Sequence, residues 1–123
     1  MHAAVREGDI DLVRALLDMG DKCNHARKLD RSTPLITATY RADVKMVELL
    51  LAHKADVNQA DIRGKSPLYY QWRSSLNHDI ADLLLTAGAY LNEQIIHGLK
   101  YNFHESMREM IEKNQKWQRY VSD

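Results

Sequence analysis

Apolar residues along this chain recur at helical spacing. Ile10, Val13, Leu16 and Leu17 stand at i, i+3, i+6 and i+7, one face of an amphipathic helix. Met46, Val47, Leu50 and Leu51 repeat the stripe, and Met107, Met110 and Ile111 form another that continues through Trp117 and Val121. The pattern itself repeats. Leu16-Leu17, Leu50-Leu51 and Leu84-Leu85 are spaced by 34 residues, and so are Asn24, Asn58 and Asn92. A repeat of that length predicts an all-α solenoid, helix pairs stacked on one another around a continuous core, instead of a closed globule.

The most complete unit runs from Thr33 to Asn58. Thr33 is placed to cap a helix with its hydroxyl, and Pro34 takes the first helical position, where its missing N–H is harmless and its fixed φ suits the turn. Ala38 lets two helices approach closely, and Ala55-Asp56-Val57-Asn58 leads out of the unit. This Thr-Pro-Leu start and Ala-Asp-Val-Asn end resemble the ankyrin-repeat family. Tetratricopeptide repeats share the period but have neither a connecting hairpin nor a Thr-Pro-Leu start. The resemblance implies stacked helix pairs joined by β-hairpin or turn fingers. It extends over residues 1–123 as a single domain, with a truncated first repeat at 1–27, a second at 28–60, a third at 61–94, and a C-terminal capping repeat and tail at 95–123.

Departures from the family pattern are informative. In the first repeat His2, Ala4, Gly8, Val13, Leu16-Leu17 and Gly20 match, and Gly20 is expected to close the second helix in a left-handed conformation. No hairpin or Thr-Pro start precedes Met1, so Ala3, Val5, Ile10 and Val13 are expected on an uncapped outer face. That face belongs either to a fragment of a longer array or to a protein whose first unit is covered by a partner or by self-association with a second copy. In the second repeat Ile36 replaces the family's histidine, and Lys54 stands where Gly20 and Gly88 flank it, a left-handed position that costs a non-glycine residue about 1 kcal/mol. The joint between the first two units is one residue longer than the next, and the extra residue is expected within Ala26 to Asp30.

In the third repeat Asp61, Gly64, Ser66, Pro67 and Leu68 match, but Gln71 and Trp72 replace small alanines. Either that helix pair is splayed or the helix is rotated to expose Tyr69, Tyr70 or Trp72. After Asn92 the hairpin is missing and a polar surface of Glu105, Arg108, Glu109, Glu112 and Lys113 fits a cap. The tail either folds back through Trp117 and Val121 or presents Lys116, Trp117, Arg119 and Tyr120 to something else. The resemblance also implies that Asn58 is a candidate for asparaginyl hydroxylation in a eukaryotic host.

Composition narrows the function. The 123 residues carry 17 basic and 17 acidic side chains, a net charge of zero that gives no footprint for nucleic acid or an anionic membrane. Cys23 is the only cysteine, which excludes an intramolecular disulfide, fits a reducing compartment and, from its apolar repeat position, predicts a buried, inert thiol. No apolar run approaches the roughly 20 residues of a membrane span and no signal pattern opens the chain, so a soluble intracellular, cytoplasmic protein is expected. The six histidines, among them His25, His53, His78, His97 and His104, lack metal-site spacing. No phosphate loop, nucleophile elbow or Cys-His pair is present, and Asp9 and Asp11 lie at a helix start that favours negative charge. No metal, cofactor or enzymatic activity is expected.

What remains is a surface. In ankyrin repeats the finger tips and first helices form a concave groove that binds partners. Carried onto this chain, the resemblance places Arg6, Glu7, Leu29, Asp30, Ser32, Thr37, Tyr40 and Arg41 there, followed by Ile62, Arg63, Lys65, Tyr70, Arg73 and Ser74, then His97, Lys100 and Tyr101. Tyr and Arg dominate interface energetics, which favours Tyr40, Arg41, Arg63, Tyr70, Arg73 and Tyr101, and Asp30, Lys65 and Lys100 complete the candidate partner-binding set. Arg41, Arg63, Lys65, Arg73 and Lys100 make the face locally basic and suit a protein partner with an acidic patch; the alternative is an ordinary solvated groove. The expected role is that of an adaptor, scaffold or inhibitor. A second reading is a fragment of a larger multidomain enzyme or ubiquitin-ligase adaptor whose catalytic or recruitment part is absent.

Overall fold

Short helices alternate with turns, and the residues flanking each helix explain its limits. The computed structural model describes residues 1–73 and 78–89, with the side chains of residues 72, 73 and 78 outside that description. Its helices are α1 (His2–Glu7), α2 (Ile10–Asp18), α3 (Pro34–Tyr40), α4 (Val44–Ala52), α5 (Pro67–Arg73) and α6 (His78–Thr86). Asp9 caps α2 by accepting from the Leu12 N–H at 3.1 Å, and Asp43 caps α4 by accepting from the Met46 N–H at 3.2 Å. The Thr33 hydroxyl accepts from the Ile36 N–H at 3.2 Å, with Pro34 at the first helical position, as expected.

Five of the helices, α1, α2, α3, α4 and α6, end in one closing motif. At Gly20 the N–H donates to the Leu17 carbonyl and the next N–H, of Asp21, reaches back to Leu16, both at 3.0 Å. The same pair of bonds closes α4 at Lys54 and α6 at Gly88, each 34 residues further on, and closes α1 at Gly8 and α3 at Ala42. This is the Schellman arrangement, whose central residue must be left-handed. Lys54 has φ 64° and Ala42 φ 58°, so side chains are held where a glycine would be unstrained.

Two rows of helices result. α1, α3 and α5 pack side by side in one row, α2, α4 and α6 in the other, and each first helix also packs on its own second helix. Val13, Leu35, Ala38, Met46, Val47, Leu50, Leu68, Ile80 and Leu84 fill the space between them and are fully buried or nearly so. Val5 and Val13, expected on an uncapped outer face, are instead at 0% exposure within this core. Their stripe turns toward the neighbouring unit; Ala3 is exposed as expected, Ile10 is half-buried, and the large exposed apolar side chains of the first unit are Leu12 and Met19. Gln71 takes Ala38's place in its unit and is fully buried, while Tyr69 and Tyr70 are half-buried.

Adjacent units are clasped by the periodic asparagines. The Asn24 amide donates to the Lys54 carbonyl at 3.4 Å while its oxygen accepts from the Asp56 N–H at 2.6 Å, and the Asn58 amide donates to the Gly88 carbonyl at 3.1 Å. Beside Asn24, Cys23 is buried as expected and its thiol donates to the His53 carbonyl at 3.2 Å. Burial holds that thiol's pKa above the ordinary value.

The connections between units are turn fingers, with no strand among the described residues. The first is closed by the Arg27 N–H donating to Ser32 at 2.9 Å, the second by the Asp61 N–H donating to Lys65 at 3.1 Å. The first finger thus encloses one residue more, and Arg31, at φ 60°, holds the left-handed position that Gly64, at φ 76°, holds in the second. The two tips are joined by the Ile62 N–H donating to the Asp30 carbonyl at 2.8 Å. The expected capping repeat and tail, including Asn92, His97, Lys100 and Tyr101, lie outside the described residues, as do the side chains of Trp72 and Arg73.

Candidate protein-binding groove

The row of first helices and the turn fingers leave a cavity of about 430 Å³ between them. α1 contributes Arg6, α3 contributes Ile36, Thr37 and Tyr40 with Arg41 at its end, and α5 contributes Tyr70. Arg27, Asp30, Ser32 and Asp61 close it from the fingers. Ile36 is almost fully buried, so the residue that stands in for the family histidine supplies an apolar floor in place of a hydrogen-bonding one. Tyr40 and Tyr70 meet edge to face, ring centroids 6.1 Å apart at 78°, and Tyr70 meets Tyr69 at 5.8 Å and 89°. Aromatic edge contacts of this kind favour particular ring orientations, worth about 1 kcal/mol a pair, although Tyr40 is itself exposed.

The two carboxylates of the cavity are engaged. Asp30 pairs with the Arg27 guanidinium through two nitrogens and accepts from the Ser32 N–H at 2.9 Å. The Arg27 hydrogen bonds, then that of Ser32, hold the Asp30 carboxyl down at about 2. Asp61 accepts from the Arg63 and Lys65 N–H groups at 2.9 and 3.1 Å and from the Tyr70 hydroxyl. Burial, then the hydrogen bond to that carboxylate, raises the Tyr70 phenol to about 12. Arg6 and Arg41 have no carboxylate partner among the described residues. The Arg41 guanidinium and the Asp43 carboxylate both lie beside Gly8, 3.6 and 3.7 Å from where a side chain there would begin, so both rest against the end of α1.

A family model for ankyrin repeats in three copies matches residues 1–95. The chain belongs to the ankyrin-repeat family. ARF GTPase-activating protein GIT1 of Homo sapiens is 27% identical over 95 residues, covering 77% of this chain and 12% of the relative. ARF GTPase-activating protein Git of Drosophila melanogaster is 34% identical over 113 residues, covering 90% of this chain and 15% of the relative. Potassium channel AKT1 of Oryza sativa subsp. indica is 39% identical over 64 residues, 52% of this chain and 7% of the channel. The chain therefore spans a small fraction of the length of the relatives it matches.

Within this ankyrin groove, Asp30, Tyr40, Arg41 and Tyr70 converge on the cavity, and Arg6, Ser32 and Thr37 join them. Arg63 is exposed on the second finger, outside the cavity lining. Lys65 is turned away: its Nζ donates to the Tyr69 hydroxyl at 3.2 Å and lies 4.6 Å from that ring's centroid. Arg73's side chain, Lys100 and Tyr101 are outside the described residues. Arg27 and Asp61 line the cavity without having been singled out for it. The i, i+3 spacing of Arg27 and Asp30 was a visible signal, whereas the partner of Asp61 is Tyr70, nine residues on, which no local rule pairs. Among the described residues no cluster of His, Cys, Asp or Glu is arranged to hold a metal, and no helix is long and apolar enough to cross a membrane.

Proposed function

We propose that this chain is a non-catalytic protein-binding module that captures a partner in its groove, as an adaptor, scaffold or inhibitor. Ankyrin repeats are protein-interaction modules, and the observation that carries the reading here is the convergence of Tyr40, Tyr70 and Arg41 on one preformed cavity. Tyrosine rings in edge contact beside an arginine guanidinium have the makeup of an interface hot spot, which is enriched in Tyr and Arg. Arg6 and Arg41, with no carboxylate within 4.0 Å among the described residues, favour a partner that is acidic where it touches. Replacing Tyr40, Arg41 and Tyr70 together with alanine is expected to abolish partner capture from native cell extract while leaving far-ultraviolet circular dichroism unchanged. Capture retained by the triple variant contradicts the reading.

The short share of each relative that the chain covers supports a second, compatible reading. The segment serves as the interaction part of a larger protein, as it would in relatives named for activating ARF GTPases, with catalysis located elsewhere. A role inside the cell accords with the reduced, buried Cys23. Leu12 and Met19 on the first unit offer a site for self-association, which sedimentation of the chain against a Leu12→Gln, Met19→Gln variant tests. A concentration-dependent dimer absent from the variant is expected, and a monomer at every concentration contradicts it.

A further inference from the structure

We infer that the groove cavity reads a two-part signal on an extended partner segment: an apolar side chain followed, two residues along, by a carboxylate. This rests on the groove being the binding site and adds what it selects. The cavity is chemically divided. At its α1 side stand Arg6, in the last turn of that helix, and Arg41, whose guanidinium rests beside Gly8. Toward α5 stand the Tyr40 and Tyr70 rings in edge contact, above the buried Ile36. Among the described residues no carboxylate lies within 4.0 Å of the Arg6 or Arg41 guanidinium. Asp30 is taken up by Arg27, Asp61 by Tyr70 and two backbone N–H groups, and Asp43, which also stands beside Gly8, caps α4 through its other oxygen.

In an extended segment, residues i and i+2 project to the same side, about 7 Å apart. A cavity of about 430 Å³ admits both side chains at once. The apolar one then covers Ile36 and the tyrosine rings, and the carboxylate reaches the arginines. Guanidinium groups bind carboxylates by paired, charge-assisted hydrogen bonds, so an amide of the same shape is a poor substitute.

The test pans a phage-displayed library of random peptides on the 123-residue chain and measures enriched sequences by fluorescence polarisation. Enriched peptides should carry Asp or Glu two residues from an aliphatic or aromatic residue. Replacing that acid with its amide should weaken binding about tenfold or more. A chain carrying Arg6→Gln and Arg41→Gln, both at exposed positions, should lose the same amount and bind acid and amide peptides alike. Enrichment of peptides without an acid overturns the inference, as does binding that appears only on phosphorylated peptides. So does undiminished acid preference in the arginine variant; if Tyr40→Ala with Tyr70→Ala still abolishes that binding, the groove reading survives and the acid assignment alone falls. Indifference to both sets of substitutions removes the groove reading as well.

Discussion

At the scale of single residues, the clearest strain is at Lys54 and Ala42. Both close helices in the left-handed region, at positions whose repeat equivalents are Gly20 and Gly88 for the first and Gly8 for the second. Relief of that strain by Lys54→Gly is worth about 1 kcal/mol, less the extra freedom glycine gives the unfolded chain. A rise in the thermal midpoint of about 4 °C is expected for a chain of this size, and an unchanged or lowered midpoint contradicts the strain. Ala42→Gly should act in the same direction. Tyr70 makes a second prediction. Its phenol titrates at about 12 instead of 10, so the folded state keeps the proton after the unfolded chain has lost it. The stabilisation is complete below pH 10 and is lost as pH rises through 12. Phenolate absorbance should show a late-titrating tyrosine that Tyr70→Phe removes and Asp61→Asn moves down toward 10; no change in either variant contradicts the contact.

At the scale of elements, the repeat is held together by bonds that recur with its period. Asn24 and Asn58 each span from the end of one unit to the carbonyl of the left-handed residue that closes the next unit's second helix, Lys54 and Gly88. Asn24→Ala should remove the amide's donation to Lys54 and leave the Asp56 N–H without its acceptor, a loss of about 1 kcal/mol visible in urea unfolding; an unaltered urea midpoint would show that the clasp contributes nothing. This periodicity explains what could be read directly from the chain. Thr33, Pro34, Gly20 and Lys54 act on neighbours at fixed offsets, so their type and spacing reveal their roles, whereas the recurring asparagines marked the period without disclosing the clasp they form 30 residues away. The fate of Val5 and Val13 was not legible, because a helical stripe announces that one face is apolar but not which neighbour it meets. The groove was legible in part. Tyr40, Arg41 and Tyr70 could be carried over from the repeat pattern, whereas Asp61's contact with Tyr70 and Lys65's with Tyr69 arise from individual packing that no period encodes.

At the scale of the molecule, the two helix rows give the chain two unlike surfaces. One is the groove between first helices and fingers, where arginines and tyrosines surround a cavity; the other is the back formed by the second helices, where Lys45 and Glu48 of α4 are exposed. On the proposed reading, a neutral chain with arginines gathered in its groove would direct an acidic partner to that side. The most direct measurement is capture of one partner by three forms of the chain in parallel: the native form, the Tyr40, Arg41 and Tyr70 triple alanine variant, and a Lys45→Ala, Glu48→Ala variant of the back. Loss of capture by the groove variant alone, with helicity equal in all three, is the expected result. Capture that survives the groove substitutions and is lost on altering the back would contradict the account.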